Sequence, residues 1–101
     1  MNIRKLRRLR ERIDKLRLRP ANIKTSELER LAGSLGRKRA GKGTKHPMWV
    51  SKDFPGIRSL SIPHHSKGPL PKAAMSILDH LEEDWGLWAE RLQIFGGNEH
   101  G

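Results

Sequence analysis

The stretch "HPMWVSKDFPGIRSLSIP", residues 46–63, decides the fold. Two short apolar runs, HPMWVSK and IRSLSIP, flank DFPG, whose Pro55-Gly56 pair marks a turn. Together they read as an antiparallel hairpin. In the second run Leu60 and Ile62 share one face, with Ser59 and Ser61 opposite. In the first, His46, Met48 and Val50 alternate with Pro47, Trp49 and Ser51. Both sets contain apolar side chains, so alternation alone leaves the inward face open. Pro47 has no N–H to give to a ladder, which suits a strand start or an edge.

Helices surround this hairpin. Upstream, Ile3, Leu6, Leu9, Ile13 and Leu16 recur at spacings of three and four, so residues 2–17 read as a helix with one apolar stripe. Lys and Arg fill its other faces. That pattern fits a helix packed by its stripe onto the domain, and it equally fits a face that meets nucleic acid. Pro20 stops the helix. "TSELERLAGSLG" reads as a second helix, with Ser26 and Glu29 as a capping box and Leu28, Leu31, Ala32 and Leu35 as the buried stripe. Gly33 or Gly36 ends it. Residues 37–45, "RKRAGKGTK", read as a basic loop with a weak strand start. Downstream, "PKAAMSILDHLEEDW" reads as a third helix with Pro71 in its first turn and Ala74, Ile77, Leu78 and Leu81 inward. "GLWAERLQIF" extends it or forms a short further helix. Trp85, Trp88, Leu92 and Phe95 form a stripe that reads as satellite core rather than a docking face. The expected class is α+β: a small three-stranded antiparallel sheet with helices on one face and the other face open. Residues 1–19 form the basic N-terminal helix, 20–84 the main domain and 85–101 a C-terminal extension.

Charge is distributed unevenly. The 101 residues carry a net charge of +10. Residues 1–45 hold 16 Lys/Arg against 4 Asp/Glu, and residues 46–101 hold 5 against 7. Such a cationic half attracts polyanions over a Debye length of about 8 Å. Nucleic acid is the expected partner; charge alone also fits an anionic membrane surface or an acidic protein. With no cysteine, disulfides and thiolate zinc sites are excluded, in keeping with a cytoplasmic location. No apolar run approaches the length of a membrane span, and the N-terminus lacks the apolar core of a secretory signal.

Three motifs carry a resemblance. Gly43, Thr44 and His46 lie in "GTKH", Ile62, Pro63 and His65 in "IPHH", and "KGP" leads into the closing helix. In this order, over residues 21–84, they resemble the HicA toxins of bacterial toxin–antitoxin pairs. The resemblance implies a fold similar to a double-stranded RNA-binding domain, with sheet order β1-β2-β3 between two helices. It implies an endoribonuclease that cleaves messenger RNA through one histidine, and a HicB-like antitoxin that covers that histidine. It implies no small-molecule cofactor and no metal. The sequence departs from the family at two places. Its first strand falls on "GRKRAGKG", poor in β-branched residues, and Pro47 follows the histidine directly.

The chemistry is plausible on these residues. RNA supplies its own nucleophile, the 2′-hydroxyl. Cleavage then needs a base, an acid and cations around the phosphate. Imidazole, with an unperturbed pKa of about 6.5, serves either proton transfer near neutrality. His46 is the expected catalytic residue, with His65 as its second. Arg37, Lys38, Arg39, Lys42, Lys45 and Lys67 are expected to hold RNA, and Gly43 and Thr44 to line the approach. Gly41 and Gly43 offer backbone N–H groups that a phosphate can approach closely. Lys52 and Lys72 are candidates for the RNA path. His64 and His80 read as ordinary surface residues. The alternative is a module that binds RNA by shape and phosphates without cutting it.

Overall fold

A computed structural model describes residues 1–40, 47–63 and 68–93. The elements run α1 (Ile3–Arg17), a one-turn 3-10 helix (Pro20–Asn22), α2 (Thr25–Ser34), β1 (Arg37–Ala40), β2 (Met48–Ser51), β3 (Leu60–Ser61) and α3 (Pro71–Leu92). The three strands form one antiparallel sheet in the order β1-β2-β3.

Asn2 starts α1: its side-chain oxygen accepts from the Lys5 N–H at 2.8 Å. Leu6, Leu9, Ile13 and Leu16 are buried as their spacing predicts, while Ile3 stays exposed at the fraying end. Fully burying four such side chains contributes roughly 6–12 kcal/mol before conformational entropy is subtracted. α2 begins at Thr25, one residue before the expected cap. Glu27 rather than Glu29 reaches back, accepting from the Lys24 N–H at 3.0 Å. Its position is fixed by Arg19, whose guanidinium donates to both Glu27 oxygens. Gly36 ends the helix with φ +99°, a conformation that side chains with a Cβ seldom adopt. A Cβ there would also lie 2.7 Å from an Asp53 oxygen.

The register pairs Arg37 with Ser51 and Ala40 with Met48, then Met48 with Ser61 and Trp49 with Leu60. Directly opposed residues share a face. Arg37, Trp49 and Leu60 therefore point to the helical layer, which settles which side of β2 is inward. Lys38, Ala40, Met48, Val50 and Ser61 lie on the outer face, exposed or half-buried. The hairpin is wider than the DFPG turn predicts: residues 52–59 connect β2 to β3. The reason is tertiary. Phe54 packs edge-on against Trp88 with ring centroids 5.0 Å apart. Arg91 lies over the Phe54 ring at 4.2 Å and donates to the Asp53 carbonyl. These contacts hold the connection against α3 and away from the ladder.

α3 runs unbroken from Pro71 through Gly86 to Leu92, 22 residues or roughly 33 Å. It crosses the sequence boundary drawn at residue 84 without interruption. An interior Gly costs a helix about 1 kcal/mol. Two tryptophans flanking it offset that cost. Trp85 Nε1 donates to the Leu6 carbonyl and Trp88 Nε1 to the Leu35 carbonyl, each at 2.7 Å. α1, α2, α3 and the inner face of the sheet thus share one apolar core.

A polar seam joins α1 to α3. Arg17 bonds Asp79 and Glu82, and Arg10 bonds Glu82 at 3.1 Å. The Arg17 hydrogen bond holds the Glu82 carboxyl below the usual carboxylate range; partial burial opposes the shift and Arg10 reinforces it. A carboxylate with a lowered folded-state pKa stabilises the protein above its unfolded pKa of about 4.3, and this contribution is lost as pH falls through the folded value. Because Glu82 is partly solvated, the contribution is at most about 1 kcal/mol. Replacing Glu82 by Gln should lower stability by about 0.5–1 kcal/mol at pH 7. Urea titrations of both proteins should show the gap shrinking as pH falls below 4 and closing once the wild-type carboxyl is protonated.

Candidate nucleic-acid interface

Three chain ends meet at one end of the sheet. β1 ends at Ala40, opposite Met48 at the start of β2. Met48 in turn opposes Ser61. One residue further out, the Ile62 N–H lies 3.5 Å from the Pro47 carbonyl. Pro47 and Ile62 are both fully buried, so they anchor the sheet where its ladder stops. Pro47, which lacks an N–H for the ladder, supplies a buried apolar side chain just before β2. In the chain, Gly41 follows Ala40, His46 precedes Pro47, and His64 and His65 follow Pro63. The far end of the sheet carries the 52–59 connection and none of the expected catalytic residues.

Among the expected RNA contacts, Lys38 and Arg39 are exposed on β1 and form no ion pair with another described residue. They bring two cations to the strand that leads toward this end. His46, His65, Lys42, Gly43, Thr44, Lys45 and Lys67 lie outside the described residues.

Arg37 is a correction. Expected to grip RNA, it is instead buried beneath the sheet, 4% exposed. Its Nε donates to Asp84 Oδ2 at 2.6 Å and its Nη2 to Asp84 Oδ1 at 3.0 Å. Nη1 donates to the carbonyls of Trp49 and Arg58 at 2.8 and 3.1 Å. Both carboxylate oxygens are engaged by two parallel N–H groups, the bidentate geometry that makes such a pair strong. Four of the five guanidinium N–H groups are used in this way, and at this burial the side chain is out of reach of a phosphate. A signal for this pair is present in the sequence: Ile77, Leu81, Asp84 and Trp88 fall on one α3 stripe at spacings of four, three and four. A carboxylate on an apolar stripe calls for a buried cation.

His80 is exposed on α3, 3.7 Å from Glu83, in a shallow groove shared with Arg58 and Ser76. Its surroundings are those of a surface histidine. Among the described residues, no three His, Asp or Glu side chains gather around a possible metal position, and no helix is long and apolar enough to cross a membrane.

The burial of Arg37 sets an expectation for mutation. Removing one partner strands a buried charge, which costs about 3–5 kcal/mol. Arg37→Ala and Asp84→Ala should each lower the free energy of unfolding by that amount, whereas replacing both with apolar residues of similar volume should recover much of the loss. Equilibrium denaturation of the three variants checks this. If Arg37 acted only as a surface RNA ligand, its replacement would leave stability unchanged.

Comparison of the chain with protein-family models, with curated proteins and with solved structures gave no match.

Proposed function

We propose that this chain is a metal-independent endoribonuclease of the HicA toxin type, with a double-stranded RNA-binding-domain-like fold and His46 as its catalytic residue. The observation that carries this reading is the convergence of Ala40, Pro47 and Ile62 at one end of the sheet. The segments that continue from these three points bear every histidine and glycine of the two family motifs. The order α2-β1-β2-β3-α3 also agrees with what the resemblance implies.

In the proposed reaction the ribose 2′-hydroxyl attacks the adjacent phosphorus. One imidazole removes the hydroxyl proton. The 5′-oxygen departs with a proton from a second group, for which His65 is the candidate. A 2′,3′-cyclic phosphate and a 5′-hydroxyl end result, so protons and charge balance without a metal. Lys38, Arg39, Lys42 and Lys45 offset the negative charge that builds up on the phosphate oxygens. A HicB-like antitoxin would silence the enzyme by covering His46.

General acid–base help is worth about 10²–10⁴-fold. His46→Ala should therefore slow cleavage of labelled RNA in EDTA by at least about a hundredfold, with RNA retardation unchanged. His65→Ala should give a smaller loss. Undiminished cleavage by the His46 variant would refute the assignment. RNA that is bound by the wild-type chain but never cut would instead favour a binding module that reads A-form shape and phosphates.

A further inference from the structure

The cations of α1 are sorted by face. At 100° per residue, Arg10 and Arg17 fall on the flank that meets α3, where Asp79 and Glu82 neutralise them. Arg4, Lys5, Arg8, Arg12 and Lys15 fall within an arc of about 100° on the other flank. All five are exposed, and none forms an ion pair with another described residue. Glu11 is the sole acid at the margin of that arc. At its C-terminal end the flank opens into a concavity against α2, lined by Arg12, Lys15, Arg19, Glu27 and Arg30. Arg19 already neutralises Glu27. Arg30, exposed and unpaired, therefore adds a sixth free cation from a second element.

From this arrangement we propose that the α2-facing flank of α1, together with Arg30, is a binding surface for the phosphate backbone of RNA. It uses no residue of the His46 segment, and its test does not depend on cleavage.

Three observations select this partner. The first is charge density. Arg4 to Lys15 spans about 16 Å of helix, and a nucleic-acid strand presents a phosphate about every 3.4 Å along its axis. Five cations over that length match about five phosphates. The second concerns membranes. A helix that lies on a bilayer needs its apolar face free to insert. Here Leu6, Leu9, Ile13 and Leu16 are spent in the core. The third concerns protein partners. Tight protein interfaces are centred on buried aromatic or aliphatic anchors. Ile3 is the exposed large apolar side chain of α1, and at 100° per residue it falls outside this arc. What the flank presents is charge without apolar anchors, which is what a backbone-tracking surface requires.

The test measures binding of the full chain to a fluorescent single-stranded oligoribonucleotide that is 2′-O-methylated throughout. Such a strand has no 2′-hydroxyl and stays intact whether or not His46 is catalytic. Anisotropy is followed over a salt series. Each lost phosphate contact should flatten the plot of log K against log salt by about 0.7. The variant Arg8→Gln/Arg12→Gln/Arg30→Gln should flatten it by about 2 and weaken binding on the order of tenfold to a hundredfold at physiological salt. A control that removes charges elsewhere, Arg58→Gln/Arg91→Gln, should leave the slope nearly unchanged. The single variant Arg8→Gln, expected to flatten the slope by about 0.7, covers the case in which the triple variant misfolds. An unaltered slope in the Arg8 variants would overturn the proposal. So would an equal drop in the control, absence of binding by the wild type, or binding to phosphatidylserine vesicles that the triple variant loses while its RNA affinity holds. A chain that binds as expected but cleaves nothing would defeat the nuclease reading alone.

Discussion

The Arg37–Asp84 pair is the constraint on which the sheet depends. Both side chains are 3% exposed. Two charges removed from water this completely are tolerable only when they pair closely and find further hydrogen bonds around them. Meeting them requires β1, β2, the approach to β3 and α3 to take up their positions together. The Trp49 carbonyl must face the guanidinium, so the β1–β2 register cannot slip by one residue. The Arg58 carbonyl must do so as well, which helps keep the 52–59 connection long. In a domain with a two-residue β3, such a polar clamp supplies the specificity that strand length does not.

The end of the sheet proposed as the site follows from that clamp. Fixing the register fixes where the ladder runs out, at Ala40, Pro47 and Ile62. Chemistry-bearing segments distant in sequence are thereby tied to neighbouring points on a rigid frame. Acid–base catalysis needs this, because a proton donor and acceptor act only when both reach the same phosphate. The structural cations and those proposed to hold RNA are separated accordingly. Arg37 serves the frame and Arg10 and Arg17 serve the α1–α3 seam, while Lys38, Arg39 and the opposite flank of α1 are exposed and have no ion-pair partner among the described residues.

That division resolves the charge imbalance seen in the sequence. An N-terminal half of +12 and a C-terminal half of −2 read as a uniform basic region beside a neutral one. In three dimensions the acids of α3 meet one flank of α1 and cancel it. The surplus positive charge is left on the opposite flank and on β1. Surface ion pairs of this kind contribute little stability singly. Their larger consequence is to determine where the unscreened field points.

Periodicity in the sequence determined the three helices, the apolar stripes and the existence of the hairpin. These depend on local spacing, since an amphipathic segment has only one way to bury its stripe. Pro20, Gly36 and Pro71 punctuate the elements because their backbone limits act wherever they occur. Three features required the tertiary structure: the β1 strand on Arg-Lys-Arg-Ala, the inward face of β2, and the role of Arg37. A strand of charged residues has no apolar signature, and its pairing rests on main-chain hydrogen bonds that any side chain permits. Whether an arginine faces RNA or a buried carboxylate depends on a residue 47 positions away. Only folding brings that residue within reach.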